Sequence, residues 1–251
     1  MLAILWLTGR VDSSESTTTA DDVRTRARAE MHRAILDAGR RRLASDGAAG
    51  LSLRAVARDV GMVSSAVYRY VPNRDALLTA LIIESYDALG AAAEEAERAA
   101  DRDDIPGRWR AIGRASREWA LTHPQEWALV YGSPVPGYAA PEDTIAAASR
   151  IPVLLVALLR DARAAGVALP DAAVGRGLRR SMGPLLEFFD GAAPDETVLR
   201  GFMAWTYLLG SVSTQLFGQR RNVITDDGAA GFFDAELDRL AGFLGLDAGE
   251  R

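Results

Sequence analysis

Apolar residues recur at helical spacing almost without interruption from Val23 to about Leu246. Long segments rich in Ala, Arg, Glu and Leu place apolar side chains three and four positions apart, which is typical of amphipathic helices. No stretch alternates β-branched and polar residues for long enough to predict a strand. This pattern predicts an all-α fold.

Capping and helix-breaking residues divide the pattern into separate helices. Gly47 and Gly61 suit helix ends, whereas Ser52 and Asn73 suit helix starts. Three prolines and two glycines within residues 132–141 predict a loop. The predicted helices cover residues 23–45, 53–60, 64–70, from 74 onward, 105–122, 124–131, 143–165, 171–190, 195–218 and 229–245.

Catalytic and metal-binding chemistry has few residues to use in this chain. Each of the 29 Lys or Arg positions is Arg, so the chain contains no Lys. It also contains no Cys, and it has two His. Thiolate, disulfide, Cys/His zinc and Schiff-base chemistry are therefore excluded. His123 precedes a proline and is most simply a helix boundary, and no spacing of carboxylates singles out a pair. We expect no catalytic residue, no metal site and no cofactor.

Charge is distributed unevenly along the chain. Residues 23–74 hold eleven Arg and four acidic residues, a local net charge of +7, although the whole chain carries −5. The remainder is therefore strongly acidic. This distribution indicates a basic N-terminal module that binds a polyanion, joined to a body with a different role.

The N-terminal residues differ from the helical remainder. Residues 2–7 are apolar but far too few to span a bilayer, and residues 12–22 are polar and without periodicity. We expect a disordered tail over 1–22, a basic domain over 23–83 and a larger helical domain over 84–251. We also expect a cytoplasmic protein with no membrane partner.

Two short helices joined by a glycine-containing turn on a basic module fit the description of a helix-turn-helix. Residues 51–78, LSLRAVARDVGMVSSAVYRYVPNRDALL, are more specific. Gly61 at the turn, Tyr68 and Tyr70 in the second helix, and an Arg-Asp pair ahead of two leucines follow in a characteristic order and spacing. This run resembles the DNA-binding domain of the tetracycline-repressor (TetR) family.

The resemblance implies roles for individual residues. In this family the first turn of the recognition helix reaches base edges, while the tyrosines and the basic residue starting the next helix bind phosphates. Arg54 stands where the family contacts backbone or base, and a guanidinium suits either. We expect Arg54, Ser64 and Ser65 to determine sequence preference more than the others. The implied DNA-binding residues are Arg54, Ser64, Ser65, Ala66, Tyr68, Tyr70 and Arg74.

The run departs from the family pattern in two places. Val63 stands where the family usually has Ser, so N-capping of the recognition helix is expected to pass to Ser64. Arg40 and Arg42 stand in the first helix where the family is normally apolar. Either their head groups reach the surface past buried stems, or this helix packs differently. The run 40–42 is interpreted as a solvated helix face.

Late helices carry apolar seams that require helical partners. The family dimerises through its last two long helices, and the resemblance places the interface at about 172–190 and 195–218; the alternative is that both helices form the core of the monomer. Pro184 is expected to kink its helix or delay its start.

Residues 201–218 also resemble a TetR C-terminal variety named for a Trp-His-Gly element, with Leu209 where the His is expected. The expected interface residues are Leu178, Leu185, Phe202, Trp205, Leu209, Val212 and Leu216.

By the same resemblance, the helices between 105 and 190 enclose an effector pocket. Its candidate lining residues are Trp119, Trp127, Tyr131, Met182 and Phe189, with plain core packing as the alternative for each. The implied function is a homodimeric, ligand-responsive transcriptional repressor. It would leave a palindromic double-stranded DNA operator when a small, largely apolar effector binds.

Two other classes of function remain open. One is a helical binding protein that binds DNA non-specifically, or not at all, and has no effector; steep salt dependence without sequence preference would favour it. The other is an enzyme on a helical bundle, which the scarcity of catalytic residue types argues against. The regulator could also be an activator, because the sequence does not distinguish an activator from a repressor.

Overall fold

The computed structural model of the chain describes residues 20–247. Within that range the protein is entirely helical, with no strand, so the all-α prediction is confirmed. Residues 1–19 of the expected tail lie outside the described residues. The helices are α1 (Ala20–Gly50), α2 (Leu53–Asp59), α3 (Ser64–Val67), α4 (Arg74–Ala99), α5 (Ile105–Thr122), α6 (Pro124–Tyr131), α7 (Ile145–Ala148, preceded by a 3-10 turn at Glu142–Thr144), α8 (Arg150–Ala164), α9 (Arg176–Ser181), α10 (Gly183–Phe189), α11 (Asp195–Leu216) and α12 (Ala229–Leu244).

The helices α5 and α6 have the predicted bounds, but two longer predicted helices are interrupted. The helix expected over 143–165 breaks at Ser149, because Pro152 has no N–H to donate to the preceding turn. The helix expected over 171–190 begins only at Arg176 and breaks at Met182, next to Pro184. The prediction of a continuous helix over 143–165 was wrong, whereas the expectation that Pro184 would kink its helix or delay its start is confirmed. In both places the cause is a proline near the start of the second segment.

The helix α4 belongs to two hydrophobic cores. Its N-terminal half places Leu77, Leu78 and Leu81 in a core with α1, α2 and α3, which we call the head. Its C-terminal half places Leu89 and Ala93 in a second core with the later helices, which we call the body. Among the described helices, α4 alone has the length and apolar composition of a membrane span, and here it packs against α1, α5, α6, α7 and α8.

The loop over 132–141 forms a second connection between the body and the head, in addition to α4. Leu129 of α6 and Val135 and Tyr138 of the loop pack against the head core. The Tyr138 hydroxyl is 2.9 Å from Thr79 Oγ1 on α4, so the loop is also hydrogen-bonded to the shared helix. The head therefore rests on α6 and its loop as well as on α4.

Charged side chains fix α4 against the body. Arg108 of α5 is buried, and its guanidinium binds Glu97 of α4 and Asp161 of α8, with nitrogen–oxygen distances of 2.6 Å to each. Arg150 of α8 reaches both carboxylate oxygens of Glu94 on α4, at 2.8 and 2.7 Å. A Cβ at Gly90 would lie 2.8 Å from Arg150 Cβ, so glycine is needed where these helices cross.

The start of α4 gives a testable contrast between two helix caps. Asn73 Oδ1 accepts a hydrogen bond from the Ala76 amide at 2.8 Å, whereas Ser52 at the start of α2 makes no side-chain cap bond. We expect Asn73→Ala to lower the free energy of unfolding by about 1 kcal/mol and Ser52→Ala to change it by a few tenths. Urea denaturation of the two variants would measure this. Equal losses would contradict the assignment of the caps.

Candidate nucleic-acid interface and internal cavity

The turn between α2 and α3 is built by one glycine. Gly61 has φ of 70°, a left-handed conformation that side chains disfavour. Its N–H donates to the Arg58 carbonyl at 3.1 Å, and the Met62 N–H donates to the Ala57 carbonyl at 2.8 Å. These are the two bonds of a Schellman motif, which ends α2 and turns the chain sharply.

The recognition element follows this turn and is shorter than predicted. Regular α-helix covers only Ser64–Val67, and the chain continues to Tyr70 through tighter bonds, Arg69 N–H to Ala66 and Tyr70 N–H to Val67. Val63, not Ser64, occupies the N-cap position, so the expected transfer of the cap to Ser64 was wrong. Because Val63 offers no side-chain acceptor, the first N–H groups of this helix keep no side-chain cap.

The element presents a polar face to solvent and an apolar anchor to the head. Val67 is fully buried, whereas Ser64, Ser65 and Tyr68 are exposed, and so is Arg54 on α2. Ala66 and Tyr70 are half-buried. The structure therefore brings six of the seven implied DNA-binding residues to one exposed helix-turn-helix.

Tyr70 is held by a residue that sequence reasoning missed. The guanidinium of Arg28 on α1 lies 5.7 Å from the centre of the Tyr70 ring, and its Nη2 donates to the Arg69 carbonyl at 3.2 Å. This cation–π contact and hydrogen bond orient the end of the recognition element. The repeated Arg residues of α1 indicated that basic side chains lie along this helix. The sequence around them did not show which Arg would contact Tyr70.

The structure gives Arg74 a role inside the head. Its Nη2 donates to the Ala48 carbonyl at 2.8 Å and its Nε to the Leu51 carbonyl at 3.2 Å. Gly47, with φ of 67°, ends the regular part of α1 just before these carbonyls. Arg74 therefore satisfies free carbonyls at the end of α1, a structural role that the sequence did not indicate, and its phosphate contact stays a prediction.

The other Arg of the head divide into paired and unpaired groups. Arg42 binds Asp59 of α2 through two nitrogens, at 2.6 and 2.8 Å, and these hydrogen bonds lower the pKa of Asp59. Arg40 binds Asp37 and Glu84. Both departures from the family pattern are thus explained by ion pairs at the surface of α1. The Arg of the head that make no ion pair with a described residue are Arg26, Arg28, Arg33, Arg41, Arg54, Arg58 and Arg69.

The body encloses an apolar cavity of about 230 Å³ between α5, α8, α10 and α11. Phe188 and Phe202 are its exposed members, at 41% and 53% exposure, so the opening lies between α10 and α11. The lining residues are Trp109, Pro152, Leu155, Leu158, Leu159, Leu185, Phe188, Phe189, Gly201, Phe202, Trp205, Leu244 and Leu246.

Of the predicted pocket residues, Phe189 alone lines this cavity. Trp119 stacks on His123 at 4.9 Å between ring centres, and Met182 is buried in the body core. Trp127 donates its indole N–H to Ser213 Oγ at 3.0 Å and packs against Tyr131. The assignment of these four to the lining was wrong, because their apolar faces meet neighbouring helices instead.

Tyr131 nevertheless connects the cavity with α4. Its ring meets Trp205, a lining residue, edge-on at 6.4 Å, and meets Tyr86 of α4 edge-on at 5.8 Å. Burial raises the pKa of Tyr131, so its hydroxyl stays protonated at neutral pH. An aromatic chain therefore runs from the cavity wall through α6 to the helix shared with the head.

The predicted interface seam lies mostly inside the subunit. Val212 is buried, so its assignment to a dimer interface was wrong. Trp205, Leu209 and Leu216 are half-buried against the body core, as is Leu185. These residues do form an apolar stripe along α11, but the stripe packs mainly against the core of its own subunit. Leu178 and Phe202 are exposed, as an interface requires.

A helix-turn-helix on a basic head, joined to a helical body with an apolar cavity, defines a DNA-binding transcriptional regulator. Curated relatives agree: the HTH-type transcriptional regulators Rv1816 of Mycobacterium tuberculosis and Mb1846 of Mycobacterium bovis are each 42% identical over 229 residues, covering 87% of this chain and 94% of theirs. The family described as bacterial regulatory proteins, tetR family, matches residues 35–81, and a tetracyclin repressor-like C-terminal domain matches residues 109–240. The chain belongs to the TetR family.

Solved structures share the architecture. The crystal structure of the regulatory protein SCO4313 is 32% identical with a TM-score of 0.70, covering 87% of this chain and 98% of that one. A protein of unknown function from Rhodococcus sp. RHA1 is 26% identical with a TM-score of 0.61, covering 84% and 95%. The arrangement of head and body is therefore shared with both of these solved structures.

Arg54 and Arg74, the two Arg implied in DNA binding, should respond differently to substitution. Arg74→Ala leaves carbonyls at the end of α1 without their donor, so we expect it to lower the free energy of unfolding by about 1–3 kcal/mol. Arg54→Ala removes an exposed side chain, so we expect unchanged stability and weaker DNA binding. Urea denaturation and DNA titration of both variants would test this. An Arg74→Ala protein that is fully stable would refute the internal role.

Proposed function

We propose that this protein is a homodimeric repressor that leaves a palindromic DNA operator when a small, largely apolar effector fills the cavity of the body. The observation that carries the proposal is the aromatic chain Trp205–Tyr131–Tyr86, which leads from the cavity wall to α4. A regulator that responds to a ligand needs such a physical connection between its two sites. The relatives' regulatory role supports a cytoplasmic protein without catalytic activity.

Occupancy of the cavity would reach the recognition elements through two supports. A displaced Trp205 moves Tyr131, and with it both α4 and the loop that carries Tyr138. The N-terminal half of α4 belongs to the head core, and the loop packs against it. Two recognition elements must match half-sites about 34 Å apart, so a small rotation of each head weakens binding to the operator. A coupling of about 1–3 kcal/mol gives a several-fold to hundredfold change in affinity.

The dimer is proposed to form through the exposed face of α11 together with α12. Phe202, Met203 and Tyr207 are exposed on α11, at 53%, 51% and 50%, and Phe232 is exposed on α12. The Tyr207 hydroxyl donates to Glu236 on α12 at 2.9 Å, which fixes the ring and joins the two helices. Contiguous exposed apolar residues of this kind mark an interaction surface.

A single charge in this face should separate the subunits. We expect Met203→Glu to give a monomer, because an unpaired carboxylate would be buried at the centre of the apolar contact. Val153→Glu on α8 is the control, since Val153 is equally exposed at 54% but lies on another face. Sedimentation velocity would distinguish monomer from dimer. A dimeric Met203→Glu protein, or a monomeric unmodified protein, would refute the proposed interface.

The test of the whole proposal is DNA binding by fluorescence anisotropy. Labelled DNA from the region flanking the protein's own gene would be titrated at two salt concentrations against a scrambled duplex. We expect tight binding by a dimer that prefers the flanking DNA at both salt concentrations. Weak, equal binding to both duplexes, abolished by salt, would instead favour a non-specific DNA-binding protein.

Variants of the recognition element sharpen this experiment. Ser64 and Ser65 are exposed in the first turn of α3, so we expect Ser64→Ala and Ser65→Ala to reduce the preference for the flanking DNA over the scrambled duplex. Tyr68→Phe is the comparison, because loss of a phosphate contact weakens both duplexes alike. A uniform loss in the serine variants would overturn their assignment as base readers.

A further inference from the structure

The cavity of the body lacks charged side chains altogether. Each of its thirteen lining residues is aliphatic, aromatic, proline or glycine. The indole N–H of Trp109 is already bonded to the Leu237 carbonyl at 3.0 Å. The indole N–H of Trp205 is the remaining side-chain donor of the lining, and it has no partner among residues 20–247. The lining side chains therefore include at most one neutral donor and no group that could balance an ionic charge.

Two charged residues near the cavity, Arg200 and Asp161, are bound to other partners. Arg200 precedes Gly201 in the lining, but it binds Glu196 and donates to the Phe243 carbonyl at 3.0 Å. Asp161, one turn beyond Leu158, binds the buried Arg108. An ionised group inside the cavity would therefore have no counter-charge, which is strongly unfavourable in an apolar interior.

The volume of the cavity sets the size of the ligand. A cavity of 150 Å³ lined by apolar side chains accepts benzene, so 230 Å³ corresponds to about nine non-hydrogen atoms. The opening beside Phe188 and Phe202 leaves room for a longer molecule to extend outward. A straight chain of about eight carbons therefore fits.

We infer that the cavity binds an uncharged hydrocarbon-like molecule of about this length, such as an alcohol or ester, and discriminates against the corresponding carboxylate. The inference rests on the proposed function in taking this cavity as the effector site. A neutral oxygen at one end of the ligand can accept from the Trp205 N–H, whereas a carboxylate would need a charged partner that the lining does not supply.

The direct test compares 1-octanol with octanoate on the full-length protein. Calorimetry would measure binding, with the change in total tryptophan fluorescence, to which the lining residues Trp109 and Trp205 contribute, as a second readout. At pH 7.5 we expect octanol to bind at least tenfold more tightly. Because only the protonated acid would enter, lowering the pH to 6.5 should strengthen octanoate binding about tenfold and leave octanol unchanged. Equal affinities at pH 7.5, or no binding of octanol, would overturn the inference.

A cavity-filling variant places the binding at this site. A Cβ at Gly201 would meet only Leu159 Cδ1, at 4.0 Å, so a larger side chain there extends into the cavity. We expect Gly201→Leu to weaken octanol binding more than tenfold and Gly201→Ala to weaken it less, which keeps the test valid if the larger variant does not fold. Ala157→Leu adds volume on the exposed side of α8 and should bind normally. Unchanged octanol affinity in a folded Gly201 variant would overturn the site.

Operator binding separates this inference from the proposed function. Octanol that binds the cavity without releasing the flanking DNA would contradict ligand-responsive repression and leave the ligand class standing. Octanoate that binds as tightly as octanol and releases the DNA would contradict the ligand class and leave repression standing.

Discussion

The shared helix α4 is the constraint on which the rest of the structure depends. Its 26 residues extend about 39 Å, and one hydrophobic core forms around each half. Leu77 and Leu81 cannot shift relative to Leu89 without bending a continuous helix, which would break backbone hydrogen bonds. The head therefore takes its orientation from the body. A rigid connection of this kind transmits small movements because packed cores deform little.

The contacts along α4 differ in what they contribute. The ion pairs of Arg150 with Glu94 are partly exposed, so they add little stability and mainly fix the angle between α4 and α8. Arg108 is buried with Glu97, and removing either partner would leave the other charge in the body with one counter-charge instead of two, Asp161 for Arg108 or Arg102 for Glu97. The aromatic contact of Tyr86 with Tyr131 is uncharged and half-buried, so it can rearrange without leaving a charge unpaired inside the body. The connection to the cavity runs through this contact.

Sequence predicted the elements that local residues determine. The bounds of α5 and α6 were correct because Asp104 and Pro124 mark helix starts on their own. The helix-turn-helix in residues 51–78 was also predictable, because its motifs are local and follow in a characteristic order. The lining of the cavity was not predictable in this way. Periodicity shows which side of a helix is apolar, but Trp127 and Tyr131 needed the fold to show which neighbour covers that side.

The apolar pattern of α11 is compatible with both a dimer interface and the core of the subunit. Apolar residues occupy more than one side of it, so Val212 packs into the core while Met203 and Tyr207 face outward. Phe202 lies between these sides, where it both lines the cavity and is half exposed. A ligand entering beside Phe202 therefore meets the same helix that carries the proposed subunit interface. Cavity occupancy and the arrangement of two subunits would then be set by the rotation of one helix, which couples the ligand to both heads at once.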